Sequence, residues 1–211
     1  MTIKELHKNW LELGQKYCHD LSFLESIWQK IEKNYSSQSR YYHNLHHIQS
    51  MINLAYENSS EIKDFDELLF AIWFHDIIYS STSKKNEEKS ANLFDELLKG
   101  FNFKELKKEK IYQLIMSTKA HKILVEKDSD NSFLLDFDLS ILGQNWNIYQ
   151  KYIQDIRKEY KIYPDFLYNP SRKKVLESFL GREKLYFTKK YQNLFEKVAR
   201  ENLQKELKLL N

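Results

Sequence analysis

Cysteine is almost missing from this chain: Cys18 is the one thiol among 211 residues. A lone thiol makes no intrachain disulfide, and no Cys-x-x-Cys pair is present to hold a zinc ion or a redox centre. Such usage fits a reducing cytosol. Proline and glycine are nearly as scarce, at two and four residues, which argues against a turn-rich β fold. No charge sign dominates either. The 33 basic and 30 acidic residues leave a formal net charge of +3, too balanced to argue for nucleic acid as a partner. Runs such as Lys107-Lys108 and Arg172-Lys173-Lys174 sit among glutamates and read as solvated helix faces. Long apolar runs are also missing. The longest, Leu68 to Phe74, is far short of the ~18 residues a membrane span needs. The N-terminal stretch Met1 to Lys8 has no apolar signal core. The expectation is a soluble, cytoplasmic protein with no membrane partner.

What is present is helix-forming and able to bury a core. Hydrophobic residues make up 42% and aromatics 15%, and the length suits one domain. With no repeat, linker or abrupt change of composition, residues 1–211 read as a single all-α domain, a bundle of about eight or nine helices. Leu6, Trp10, Leu13 and Tyr17 recur at helical spacing. Ser22 with Glu25 reads as a capping box for a second helix. A third helix is expected from about Tyr42 through Ala55. Asp64 with Glu67 is expected to cap the helix that carries His75 and Asp76, and Asn86 to cap the next, with Ala91, Phe94 and Leu97 inward. Leu106, Ile111, Leu114, Ile115 and Thr118 mark another. Asn131 to Gly143 and Trp146 to Tyr160 follow. Then comes Asn169 to Leu180, with Pro170 at the first helical position and Gly181 just past the end. Thr188 opens a last helix with Leu194, Val198 and Leu203.

The chemistry-bearing residues stand in apolar surroundings. His75 and Asp76 close the run Leu68-Leu69-Phe70-Ala71-Ile72-Trp73-Phe74. An imidazole and a carboxylate there are costly to bury unless compensated, and a divalent cation is one efficient compensator. A hydrogen-bonded His-Asp pair is the plainer alternative. Upstream, His43 and His47 are four apart, the spacing of paired metal ligands on a helix. Asn44 stands where a His-Glu-x-x-His metalloprotease needs glutamate. Downstream, Asp136 and Asp138 lie in another apolar stretch and point to different sides of a helix, so one could be a ligand and the other a cap, or both could be caps. A mixed set of imidazole and carboxylate suits a hydrolytic transition-metal or magnesium-like ion rather than a structural zinc.

Several strings carry a resemblance. They are Arg40-Tyr41-Tyr42-His43-Asn44-Leu45, Trp73-Phe74-His75-Asp76 with Tyr79, Asn86-Glu87-Glu88 with Ser90-Ala91, Thr118-Lys119 with His121, and Asp136-Phe137-Asp138-Leu139-Ser140-Ile141-Leu142-Gly143. Together with Ile156 to Tyr160, Arg172 to Leu180 and Ala199 to Leu203, they resemble a bacterial family described as predicted metal-dependent phosphohydrolases of the HD-domain superfamily. The resemblance runs over nearly the whole chain.

It implies an HD-domain-like helical bundle with His43, His75, Asp76 and Asp138 as ligands of one divalent ion, with Mn, Mg, Co, Ni, Fe and Zn all open. It implies hydrolysis of a phosphate ester or phosphoanhydride, with nucleotides among the candidate substrates, by metal-activated water. Asp76 and Glu87 are the candidates for moving the proton; first-turn charge is the alternative role for Glu87. Arg40, His47, Lys119 and His121 are the candidates for holding phosphate. Arg157, Arg172 and Arg200 are expected to brace the core through glutamates, with substrate binding as the alternative. The rival expectations are a non-catalytic nucleotide or metal sensor and a nucleic-acid interaction module. A homodimer is left open.

Overall fold

The computed structural model describes residues 2–99, 107–125 and 129–210, the side chain of Leu98 aside. Every regular element among them is helical, so the all-α expectation holds. There are ten α-helices: α1 Ile3–Gln15, α2 Leu21–Tyr35, α3 Leu45–Glu57, α4 Phe65–Phe74, α5 Asn86–Leu98, α6 Lys108–Thr118, α7 Ser129–Asp138, α8 Trp146–Glu159, α9 Asp165–Leu180 and α10 Lys189–Leu209. Short 3₁₀ segments, Ser59–Glu61 and Leu139–Gly143, complete them. None of these helices is long and apolar enough to cross a membrane. The chain forms two compact units, Met1–Leu134 and Leu135–Asn211, and α7 runs through the boundary. Leu106, expected on the inner face of α6, lies outside the described residues.

In the first unit α4 is the axis. It is buried from Glu67 through Phe74, as expected of a helix apolar on all sides. α3 and α6 pack on it, and α5 packs on α6. Trp10 of α1 meets Phe70, Trp73 and Phe74, each with ring centroids 6.0 Å apart. These edge contacts add to the area they bury, and they pin the C-terminal end of α4, where His75 follows.

Local chemistry sets several helix starts differently from the sequence expectation. Asp20, not Ser22, caps α2 by accepting the Phe23 N–H at 3.0 Å; Glu25 instead takes His7 Nε2 at 2.9 Å. α3 begins at Leu45, three residues later than expected, because Asn44 caps it by accepting the His46 N–H at 2.8 Å. Asp64 sits at the N-cap of α4 without a capping bond. Its carboxylate holds Lys107 Nζ at 2.6 Å and Lys110 Nζ at 2.7 Å. Asn86 is the first residue of α5 and not its cap.

In the second unit α10 packs on the Leu139–Gly143 turn, on α9 and on α8. Gly143 is demanded by close approach: a Cβ there would collide with the Cβ of Phe195. Asn202 Nδ2 ties α10 to that turn, donating to Leu142 O at 2.9 Å and Gln144 O at 2.7 Å. The buried Glu206 receives Arg172 Nε at 2.6 Å and Nη2 at 3.0 Å, and also the Tyr149 hydroxyl. Arg157 pairs with Asp165, and Arg200 with Glu196. Arg172 and Arg200 thus have the glutamate partners expected for them, whereas the partner of Arg157 is an exposed aspartate. α9 starts at Asp165, so Pro170 lies inside the helix rather than at its first position; its ring forfeits one backbone bond there. Leu194 is exposed, and the inner face of α10 is Tyr191, Ala199, Asn202, Leu203 and Glu206.

Candidate metal centre

The first unit brings together three side chains from two segments. His75 is the C-cap of α4 and is 1% exposed; Asp76 follows it; His47 comes from the first turn of α3 and is also buried. One candidate ligand atom from each lies within 4.8 Å of the others. His47 Nε2 is 3.3 Å from His75 Nε2, which is 3.4 Å from Asp76 Oδ2. For bonds of about 2.1 Å to one ion, neighbouring ligand atoms sit roughly 3.0–3.4 Å apart, so both separations fit a shared cation.

The tautomer of His75 points the same way. Its Nδ1 faces the Ile72 carbonyl at 2.9 Å. A carbonyl only accepts, so Nδ1 carries the hydrogen and donates. In the neutral ring Nε2 then keeps its lone pair, turned toward His47 and Asp76. Fixing one ring nitrogen through a backbone carbonyl is the usual way a metal-binding histidine is oriented. The carbonyl end of α4 adds partial negative charge at this position.

His43 stands one step out. Because α3 starts at Leu45, His43 belongs to the segment leading into the helix and not to the helix face it was expected to share with His47. Its Nε2 is 3.9 Å from Asp76 Oδ2. Its ring stacks on Tyr79 with centroids 4.3 Å apart. The two histidines still approach, at 6.1 Å between ring centroids.

Arg40 locks the two segments together. Nη1 donates to the His43 carbonyl at 3.1 Å and the Asp76 carbonyl at 2.6 Å, and Nη2 donates to the Ile77 carbonyl at 2.8 Å. The guanidinium also lies over the rings of Tyr35 and Tyr79. The segment after Asp76 is clasped in turn to α5. Ser90 Oγ accepts the Ile78 N–H at 3.0 Å, and Asn86 bonds both the N–H and the carbonyl of Ser80, at 3.1 and 2.9 Å. Glu87, next to Asn86, is half-buried in the first turn of α5.

Lys119 is exposed just beyond α6. His121 has a φ of 45° and is the one non-glycine residue with positive φ in the chain's described part. The Lys122 N–H reaches Ser117 O at 3.2 Å and the His121 N–H reaches Thr118 O at 3.4 Å. That bond pair closes a helix end in which the left-handed position is usually glycine. Asn131, wholly buried, clasps this loop: Nδ2 donates to Ser117 Oγ at 2.8 Å, and Oδ1 accepts from Leu124 N at 2.9 Å and Val125 N at 3.1 Å.

In the second unit the two aspartates part company. Asp136 accepts from Phe187 N at 2.7 Å, Thr188 N at 2.8 Å and Thr188 Oγ1 at 2.7 Å, so its carboxylate secures the start of α10. Burial pushes its carboxyl up to about 6 against those three bonds. Asp138 ends α7, makes no capping bond to the 3₁₀ turn it precedes, and lies near enough to Tyr152 to help raise that phenol, whose main cause of elevation is burial.

His47 was placed among the phosphate-holding residues by resemblance, yet it has the closest approach to His75. The signal was its four-residue spacing from His43. Arg40, expected at phosphate, spends three bonds on backbone carbonyls. No family model, curated protein or solved structure matches this chain.

Proposed function

We propose that this chain is a metal-dependent phosphohydrolase of the HD type, acting on a phosphate ester or phosphoanhydride, with nucleotides among the substrates to be tried. The observation that carries the reading is the convergence of His47 Nε2, His75 Nε2 and Asp76 Oδ2 around a His75 ring whose free lone pair is fixed by Ile72 O. Two imidazoles and a carboxylate suit a borderline divalent ion such as Mn, Fe, Co, Ni or Zn better than Mg. His43 is the further candidate in the first unit. Asp138 is a candidate ligand on the resemblance of its motif alone. A divalent ion held there would supply Lewis-acid polarisation of a phosphoryl oxygen and a more acidic bound water.

The chain's own residues have distinct tasks in this reading. Asp76 accepts the proton from the attacking water. Glu87 is the second candidate for that task, presented from a helix start stapled to the segment that follows Asp76. Lys119 and His121 offer positive charge and a donor to the phosphate. Arg40 holds the backbones of His43 and Asp76 in register.

A second reading draws on the same 3.3 Å separation. It is also within reach of a His47 Nε2–H donating to the lone pair of His75, as in a polar cluster that binds a ligand or ion without turnover. The test is a screen of the purified protein against nucleotides and a generic phosphate ester with several divalent ions. Turnover abolished by Asp76→Ala supports the enzyme. Stoichiometric metal without turnover supports the sensor. Absence of both refutes the metal-centred reading.

A further inference from the structure

We propose that the first unit carries a separate site for a small organic anion, built on Arg40 and lying on another side of α3 from His47. A groove of about 290 Å³ opens between the start of α1, the end of α2 and the start of α3. Its lining includes Arg40, Ser36, His46, Gln49, Leu6 and Leu45, and it contains no carboxylate. None of His43, His47, His75 and Asp76 lines it.

The charge balance at Arg40 carries the inference. The residue is 8% exposed, and a buried cation is normally paired with a carboxylate. Among the described residues Arg40 has no such partner; its acceptors are the carbonyls of His43, Asp76 and Ile77. Those bonds use both Nη1 hydrogens and one on Nη2, so the Nε–H and the second Nη2 hydrogen make no hydrogen bond to the described residues. The N-terminus of α3, at Asn44 and Leu45, adds partial positive charge on the same wall. Leu6 and Leu45 add apolar lining. The chemistry is that of a ligand with one anionic head on Arg40 and a small apolar body. At ~30 Å³ for each water displaced, the volume holds a ligand of about ten non-hydrogen atoms.

The groove is lined by none of the candidate metal ligands. The test therefore uses the full chain stripped of metal by a chelator, with inorganic phosphate, phenyl phosphate and benzoate as probes. Binding is followed by ¹⁵N–¹H NMR at the Arg40 Nε–H and the Gln49 side-chain amide. Saturable shifts there, with phenyl phosphate binding at least about tenfold tighter than inorganic phosphate and on the order of 1 mM or better, are expected. Gln49→Glu and Ser37→Asp place a carboxylate in the lining at positions that are not buried, and each is expected to weaken binding at least about tenfold while circular dichroism stays unchanged. Ser37→Asp keeps the test decisive if Gln49→Glu fails to fold. No shift, shifts centred on His47 and His75, equal affinity for the two phosphates, or unaltered binding by the folded variants would each overturn the proposal.

Discussion

The two aspartates of the Asp136-Phe137-Asp138 string offer a test in which stability and metal binding should separate. Asp136 is wholly buried and accepts three hydrogen bonds, from two backbone N–H groups and one hydroxyl at the start of α10. In Asp136→Asn only one acceptor oxygen remains, and the new amide group turns donors toward donors. Leaving a buried donor unmet costs about 1–3 kcal/mol, and bonds to a charged acceptor stand at the upper end. A loss of about 3 kcal/mol is therefore expected. For a chain of this size that corresponds to a fall in Tm of roughly 6–12 °C. Asp138 makes no capping bond, and Asp138→Asn is the variant that tests metal binding. Its effect should appear in metal content, by isothermal titration or elemental analysis, as at least a tenfold weaker site. Differential scanning calorimetry at pH 8, where the Asp136 carboxyl is ionised despite its upward shift to about 6, reads the stability arm. An unchanged Tm for Asp136→Asn would refute the structural role. Loss of metal in Asp136→Asn with a parental Tm, alongside full retention in Asp138→Asn, would show that the wrong carboxylate was chosen.

Three further outcomes are expected. His47→Ala should weaken metal binding more than His43→Ala, because His47 Nε2 lies 3.3 Å from His75 whereas His43 Nε2 is 3.9 Å from the nearer carboxylate oxygen of Asp76; titration of both variants with Mn or Co checks the order, and the reverse ranking removes His47 from the set. His121→Gly should raise Tm, because a left-handed backbone costs an L-residue about 1 kcal/mol or more, and should lower turnover if the imidazole touches substrate; a lower Tm would refute the strain argument. Asp64 has its carboxyl held below the usual 3.8, since Lys107 and Lys110 outweigh a burial effect that acts to raise it. Its stabilisation is thus present above that value and lost as pH falls through the lowered one, so the Tm gap between parent and Asp64→Asn should narrow in strong acid, and a constant gap down to about pH 2 would contradict the pairing.

Periodicity was the readable part of this chain. Ile48, Met51, Ile52 and Ala55 are all buried on α3 as their spacing suggested, and α4 is apolar on every side. Helix ends were less readable, for a common reason: polar side chains that look like local caps are spent on distant partners. Asp64 serves Lys107 and Lys110, Glu25 serves His7, and Asn86 serves Ser80. Their sequence separations, of 43, 46, 18 and 6 residues, lie beyond any capping pattern. Pro170 misled in the opposite way, because a helix start compatible with proline was available at Pro164, six residues earlier. Asp130 shows the limit most clearly. Nothing in Ser129-Asp130-Asn131 marks it as a wholly buried acceptor for Lys63 N, Asp64 N and Lys110 Nζ.

The same distinction bears on the candidate site. Residue types and order pointed to His75 and Asp76, and the structure adds a backbone fixation that no motif states. The His75 ring is set by Ile72 O, and the carbonyls of His43, Asp76 and Ile77 are gathered by Arg40. The segment beyond is stapled to α5 by Asn86 and Ser90. A cluster held this way does not depend on the long-range pairing of charged side chains, which solvent and salt weaken. It depends on short bonds to main-chain atoms next to a fully packed helix. Arg40→Lys separates the two kinds of support. Lysine keeps the charge but cannot span three carbonyls with a planar fork. If backbone fixation orients His75 and Asp76, that variant should stay folded and lose metal affinity by roughly 10–100-fold, the range typical when an outer partner of a ligand is removed. Parental affinity in a folded Arg40→Lys would mean that charge near the cluster, and not the geometry of the fork, is what matters.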